Sequence, residues 1–172
     1  MTPPILNIGT VELQPWGHGV SIPGAGEASD RYQARIGFLG RHLGAKKLGY
    51  NLLPAGKSAF PFHCHSVNEE MFFVVEGQGE IRLGDARHVI RAGDVIACPP
   101  GGPETAHQIV NTSEGDLKFF AVSTRLSPEV AEYPETGRFG LLAETPPTVD
   151  GKPRELRFVG RPVESLDYWL GE

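Results

Sequence analysis

From residue 35 onward, short apolar segments alternate with turn residues at a close, regular spacing. The candidate strands cover residues 46–53, 59–65, 70–75, 80–83, 87–91, 94–98, 105–111 and 116–124. Between them stand Glu76-Gly77, Gly84-Asp85, Gly93-Asp94, the Pro99 to Pro103 run and Glu114-Gly115. Glycine supplies positive φ and aspartate bonds its own backbone, so these dipeptides punctuate rather than continue a strand. Many short strands between such turns predict an all-β sandwich or barrel. There is no internal repeat and no helix-turn-helix segment.

The flanks read differently. Residues 1–33 carry Pro15-Trp16-Gly17 and Pro23-Gly24-Ala25-Gly26, which predicts an extended arm with one strand at 5–13. Residues 34–124 hold the barrel, and 125–172 form a C-terminal extension. There Ser127-Pro128-Glu129 predicts one short helical turn, since serine caps orphan amides and proline suits the first helical position. Residues 140–155 look loop-like, with Pro146-Pro147 and Asp150-Gly151. Residues 155–169 include Leu156, Phe158, Val159, Leu166, Tyr168 and Trp169, which predicts packing on the barrel or on a partner subunit.

Composition narrows the class. A chain of 172 residues suffices for one domain with its own core. The 22 glycines and 15 prolines favour turns over long helices. A net charge of −5 argues against nucleic-acid partners and polybasic membrane contact. No apolar run approaches the roughly 20 residues needed to span a bilayer, and the N-terminus shows no signal-peptide pattern. Cys64 and Cys98 lie in apolar strand-like sequence and read as reduced core thiols, which together predicts a cytoplasmic protein.

The chemistry concentrates in His63-Cys64-His65-Ser66-Val67-Asn68-Glu69-Glu70. Residues two apart on a strand share a face, so His63 and His65 offer two imidazoles to one point while Cys64 faces away. A turn at residues 66–68 would bring Glu69 or Glu70 beside them. Glu70 is the better candidate because Met71, Phe72, Phe73 and Val74 continue a strand from it.

Residues 56–77 resemble the first motif of the cupin superfamily: Gly56, the H-x-H pair, a glutamate, then Gly77. The Glu70 to Gly77 interval fits that motif and selects Glu70 over Glu69. Residues 93–111 resemble the second motif, with Gly93, Asp94, Pro99, Gly101, His107 and Asn111 in order. Five residues, Gly102-Pro103-Glu104-Thr105-Ala106, separate Gly101 from His107 where the usual pattern has two, and Gly56 stands one residue further from His63 than usual. The resemblance extends to a subgroup of single-domain bacterial cupins, some of them labelled sugar-phosphate-isomerase-like. It implies a double-stranded β-helix (jelly-roll) barrel with N- and C-terminal extensions, and His107 as the fourth ligand. It also implies a homodimer, since small cupins commonly pair their sheets.

Three nitrogens and one carboxylate suit one divalent transition metal: Fe, Mn, Zn, Ni, Co or Cu. The small-molecule chemistry such a site supports falls into three classes. The first reading is an isomerase or lyase in which the metal acts as Lewis acid, with Glu104 in the lengthened loop as catalytic acid or base. The others are a metal-dependent dioxygenase and a non-enzymatic barrel that binds a small ligand or metal. A sugar phosphate would need cations, for which Lys57, Arg82 and Arg91 are available. His18, His42 and His88 match no motif, Asn111 is expected to support strand geometry, and Tyr50 and Gln108 could reach the barrel interior.

Overall fold

The computed structural model describes residues 5–17, 32–45, 48–55, 58–152 and 154–169. His18, Gly56, Lys57 and the Pro23-Gly24-Ala25-Gly26 run lie outside the described residues, as does the side chain of Tyr50.

Alternation of apolar and polar residues becomes alternation of inside and outside. The strands are β1 (Gln14–Gly17), β2 (Gln33–Phe38), β3 (Leu48–Ala55), β4 (Cys64–His65), β5 (Glu70–Glu76), β6 (Gln78–Leu83) and β7 (Ala86–Arg91). They continue with β8 (Val95–Cys98), β9 (His107–Val110), β10 (Leu117–Thr124), β11 (Glu129–Tyr133), β12 (Arg138–Thr145) and β13 (Arg154–Gly160). One helical turn, α1 (Leu39–Leu43), follows β2. On β10, Leu117, Phe119 and Ala121 are buried while the residues between them are not, and Phe72 and Val74 of β5 repeat the rule.

One sheet has the order β1-β2-β3-β10-β5-β8. The orders β7-β6-β9 and β13-β12-β11-β4 form two further sheets, and an isolated bridge between His63 and His107 joins them. These strands pair antiparallel, as in a double-stranded β-helix, and an isolated bridge between Tyr32 and Ser58 is parallel. Phe72, Ile81, Ile109, Leu117 and Phe119 pack between the layers, each contributing about 1.5–3 kcal/mol by leaving water. Gly77 holds φ at +84° between β5 and β6, and a Cβ there would lie 2.1 Å from the Asp116 carbonyl oxygen. Only glycine fits such a turn.

Several local expectations are corrected. Residues 5–13 hold no strand: the Asn7 side chain accepts from Gly9 N–H and caps a 3-10 turn, Ile8–Thr10. The strand lies later, at β1. Of 59–65, only Cys64–His65 is continuous strand, with an isolated bridge at His63, because Pro61 has no amide to donate. Pro103–Thr105 coils into a 3-10 turn, so β9 begins at His107. Ser127-Pro128-Glu129 starts no helix: Glu129 opens β11, whose backbone pairs with β12 on one side and β4 on the other. Much of 140–155 is strand, since β12 pairs with β13 from Phe139↔Gly160 to Thr145↔Arg154. For β11, β12 and β13 a neighbour distant in sequence satisfies backbone groups that local propensity leaves open. The C-terminal segment joins the sheet through β13, while Leu156, Phe158, Val159, Leu166, Tyr168 and Trp169 stay exposed. No helix among the described residues is long and apolar enough to cross a membrane.

Candidate metal centre

Backbone pairing sets two of the imidazoles side by side. His63 N–H donates to His107 O (3.2 Å) and His107 N–H donates to His63 O (2.7 Å). Directly paired residues project to one face, and the two ring centroids are 4.7 Å apart. His65, two residues on, presents its ring 4.8 Å from that of His63. Cys64 points the other way, into a small cluster with Phe62 and Ala106. Glu70 comes from the opposite layer, as the first residue of β5 in the six-stranded sheet.

Between His65 and Glu70 the chain reverses through a loop held from outside. Asn68 is buried; its Oδ1 accepts from Leu126 N–H (2.7 Å) and from the Thr124 hydroxyl (3.0 Å). The Glu129 carboxylate accepts from Ser66 N–H (3.0 Å) and Asn68 N–H (2.9 Å). Met71 to Phe73 pair with β8 and β10, which fixes where Glu70 enters the barrel.

One donor atom from each of His63, His65, Glu70 and His107 falls within 4.8 Å of every other. A single oxygen, Glu70 Oε2, stands 3.0 Å from His107 Nε2, 3.7 Å from His65 Nε2 and 4.0 Å from His63 Nε2. His63 Nδ1–H donates to Pro61 O (2.8 Å), which leaves the Nε2 lone pair facing the centre. His107 is 1% exposed. Phe60 and Phe72 line the cluster, with centroids 5.2 Å from His63 and 5.7 Å from His107.

The four residues fit a metal ion on their own geometry. Both ring nitrogens of His65 are buried without a hydrogen-bond partner. A buried polar atom left unpaired costs about 1–3 kcal/mol, so the fold holds this ring at a cost that a bound cation would offset. The charges agree. Burial, then the neighbouring His107 and His65, push the His63 imidazole down to about 4, so it is neutral and able to ligate. Burial alone would raise the Glu70 carboxyl. The hydrogen bond from His107 and the nearby His65 and His63 outweigh it and hold the group well below the usual carboxylate range. Burial and the charge of Glu70 push the Cys98 thiol up to about 12, and burial with Glu132 raises Cys64. Neither thiol joins the donor set.

Residues 50–123 match the family model of the cupin domain. Over these residues the barrel is a cupin domain. A cupin-superfamily sugar phosphate isomerase of Silicibacter pomeroyi superposes with a TM-score of 0.72 at 25% identity, over 94% of each chain. A polyketide cyclase of Streptomyces resistomycificus gives a TM-score of 0.54 at 21% identity, over 73% of this chain and 82% of that one. An uncharacterised protein of Methanocaldococcus jannaschii is 30% identical over 78 residues, which are 45% of this chain and 59% of that relative.

Other positions fall away from the cupin cluster. Glu104 is exposed, and its carboxylate accepts from Gly102 N–H (3.1 Å), capping its own turn instead of reaching the imidazoles. Gln108 points opposite to His107 and donates to Ser58 Oγ (3.2 Å) and Phe60 O (3.1 Å), so it ties strands together rather than lining the interior. Arg82 pairs with Glu135 and lies over the Phe62 ring. Arg91, His42 and His88 are exposed. Asn111 donates to Gly115 O and accepts from Ser113, closing the turn before β10. The residues that sequence reasoning missed lie on β11 and β12. Tyr133 stacks on His63 at 6.2 Å, Arg138 stands over the Tyr133 ring at 5.7 Å, and Glu129 lies 3.7 Å from His65 Nδ1. Alternation along β11 (Glu129, Ala131, Tyr133) is the available signal, and reading Ser127-Pro128-Glu129 as a helical turn hides its start.

Proposed function

We propose that this cupin binds one divalent transition metal through His63, His65, Glu70 and His107 and is an isomerase- or lyase-like enzyme on a sugar or sugar phosphate. One observation carries the reading: the four donors converge inside a barrel whose whole length follows that of a cupin sugar phosphate isomerase. A bound ion of this kind supplies Lewis-acid polarisation of a carbonyl.

The chain's own residues give that chemistry a setting. Phe60 and Phe72 keep water from one side of the cluster, which strengthens electrostatics inside it. Burial raises the Tyr133 phenol, so it stays protonated and can donate to a substrate oxygen. Arg138 pairs directly with Tyr133 across β11 and β12, on the same face. Its Nε donates to Thr136 Oγ1 (3.1 Å), with no carboxylate contact among the described residues, which suits it to the anionic end of a substrate. Ala131 and Gly140, the adjacent pair, are small and leave room beside His65.

Metal analysis of protein purified without chelator, followed by proton NMR of a sugar-phosphate panel under anaerobic conditions, tests the reading. Zinc or manganese near one per chain with interconversion of aldose and ketose supports it. Iron with oxygen consumption on diols or diketones would replace it with a dioxygenase, and saturable binding without turnover with a non-enzymatic binder. Protein that takes up no metal refutes it outright.

A further inference from the structure

Each imidazole of the cluster has something behind it. His63 Nδ1–H donates to Pro61 O at 2.8 Å, and His107 Nδ1 lies 3.4 Å from Thr105 O. Both are backbone carbonyls two residues before the ligand, in its own segment. Behind His65 stands a side chain instead: Glu129 Oε1, 3.7 Å from Nδ1.

Glu129 is an unusual residue for its place. Its side chain is 7% exposed, and its two oxygens accept the amides of Ser66 and Asn68. Those amides belong to the loop joining the ligands His65 and Glu70. One carboxylate therefore clasps the connection between two ligands and faces the rear of one of them. It does so from β11, beyond the residues 50–123 that match the cupin domain. The β4–β11 pairing puts it there, since Ala131 registers with His65 and Ser66 N–H donates to Val130 O.

We propose that Glu129 is a positioning residue for metal uptake, holding His65 in the Nδ1–H form so that the bare Nε2 faces Glu70. The separation is about 0.8 Å longer than an ordinary N–H···O contact of about 2.9 Å, so the contact is electrostatic and a small rotation of the ring closes it. A neutral imidazole carries one proton on two nitrogens, and a carboxylate beside Nδ1 decides which nitrogen keeps it. His65 needs that counterweight most, because Glu70 Oε2 stands at the same 3.7 Å from Nε2 and alone would draw the proton onto the ligating nitrogen. A metal ligand inside the barrel motif is thus prepared by the C-terminal extension.

The inference rests on the metal assignment above, and the test separates the two. Two-bond proton–nitrogen NMR of the metal-free wild type at pH 8.5, with sequence-specific assignment, reads the His65 tautomer directly. The expected result is Nδ1–H, and an Nε2–H tautomer overturns the inference whether or not any variant folds. Cobalt(II) titration is then compared between wild type and Glu129→Gln. The variant is expected to bind about 10–100-fold more weakly, with altered visible absorption bands and His65 in mixed tautomers. A purely structural clasp would lower thermal stability yet leave tautomer and bands unchanged, and that outcome also overturns the inference. If wild-type protein binds no cobalt, the metal assignment itself fails.

Discussion

The substitution His65→Leu separates the stability of this barrel from its chemistry. In metal-free protein the imidazole buries two ring nitrogens with no hydrogen-bond partner, a cost of about 1–3 kcal/mol for each. Leucine removes both atoms and fills similar space. Glu70 keeps its hydrogen bond from His107 and Glu129 keeps the amides of Ser66 and Asn68, so neither carboxylate is orphaned. Allowing for imperfect packing, the net gain is about 1–2 kcal/mol, or roughly 2–8 °C in Tm for a chain of this length. The gain depends on pH with a definite sign. Burial opposes charge on His65, but Glu70 and Glu129 outweigh it and raise its pKa above 6.5. A raised folded-state value means the histidine contributes stability below 6.5 and loses that contribution as pH rises through the folded value. The variant's advantage is therefore greatest well above pH 6.5 and shrinks as pH falls toward and below it. Differential scanning fluorimetry with chelator at pH 6 and pH 9, repeated with zinc, measures each part. Zinc should raise the Tm of wild type and leave the variant unmoved. A chelated variant less stable than wild type at pH 9, or one that keeps the full zinc shift, would refute the reasoning.

Other outcomes are equally specific. The pair His63→Ala and His65→Ala together should reduce metal to below about a tenth of an equivalent per chain by plasma mass spectrometry, while far-ultraviolet circular dichroism keeps its β signature. Gly77→Ala should cost about 2 kcal/mol or more in urea unfolding, since φ is +84° and the new Cβ would meet the Asp116 carbonyl at 2.1 Å. Arg138→Ala should raise KM for a phosphorylated substrate about tenfold or more without altering metal content; equal KM values would remove Arg138 from the substrate site. A homodimer is expected in sizing with light scattering at micromolar concentration, because Leu156, Phe158, Val159 and Trp169 leave an apolar surface exposed; a monomer refutes this.

The sequence by itself determined the all-β class, most barrel strands and the pairing of His63 with His65. Period-two alternation, turn glycines and an H-x-H strand are local properties, and Gly77 is demanded by a single backbone angle. Glu70 was favoured by the strand that follows it and selected by motif spacing, while His107 was legible only through the motif, since no local rule brings residues 37 apart to within 3.0 Å. The tertiary structure decided the rest. It placed Glu70 on one layer and the imidazoles on the other, so the donor set closes only when the sheets stack. It turned Glu104 back onto its own loop, where its carboxylate accepts from Gly102 N–H. It also made residues 129–133 a strand, because β4 and β12 offered backbone partners that propensity cannot see. That pairing carries Glu129 to the back of His65 and Tyr133 to the face of His63. A strand's neighbours are chosen by the whole sheet, and the surroundings of this metal centre are a consequence of that choice.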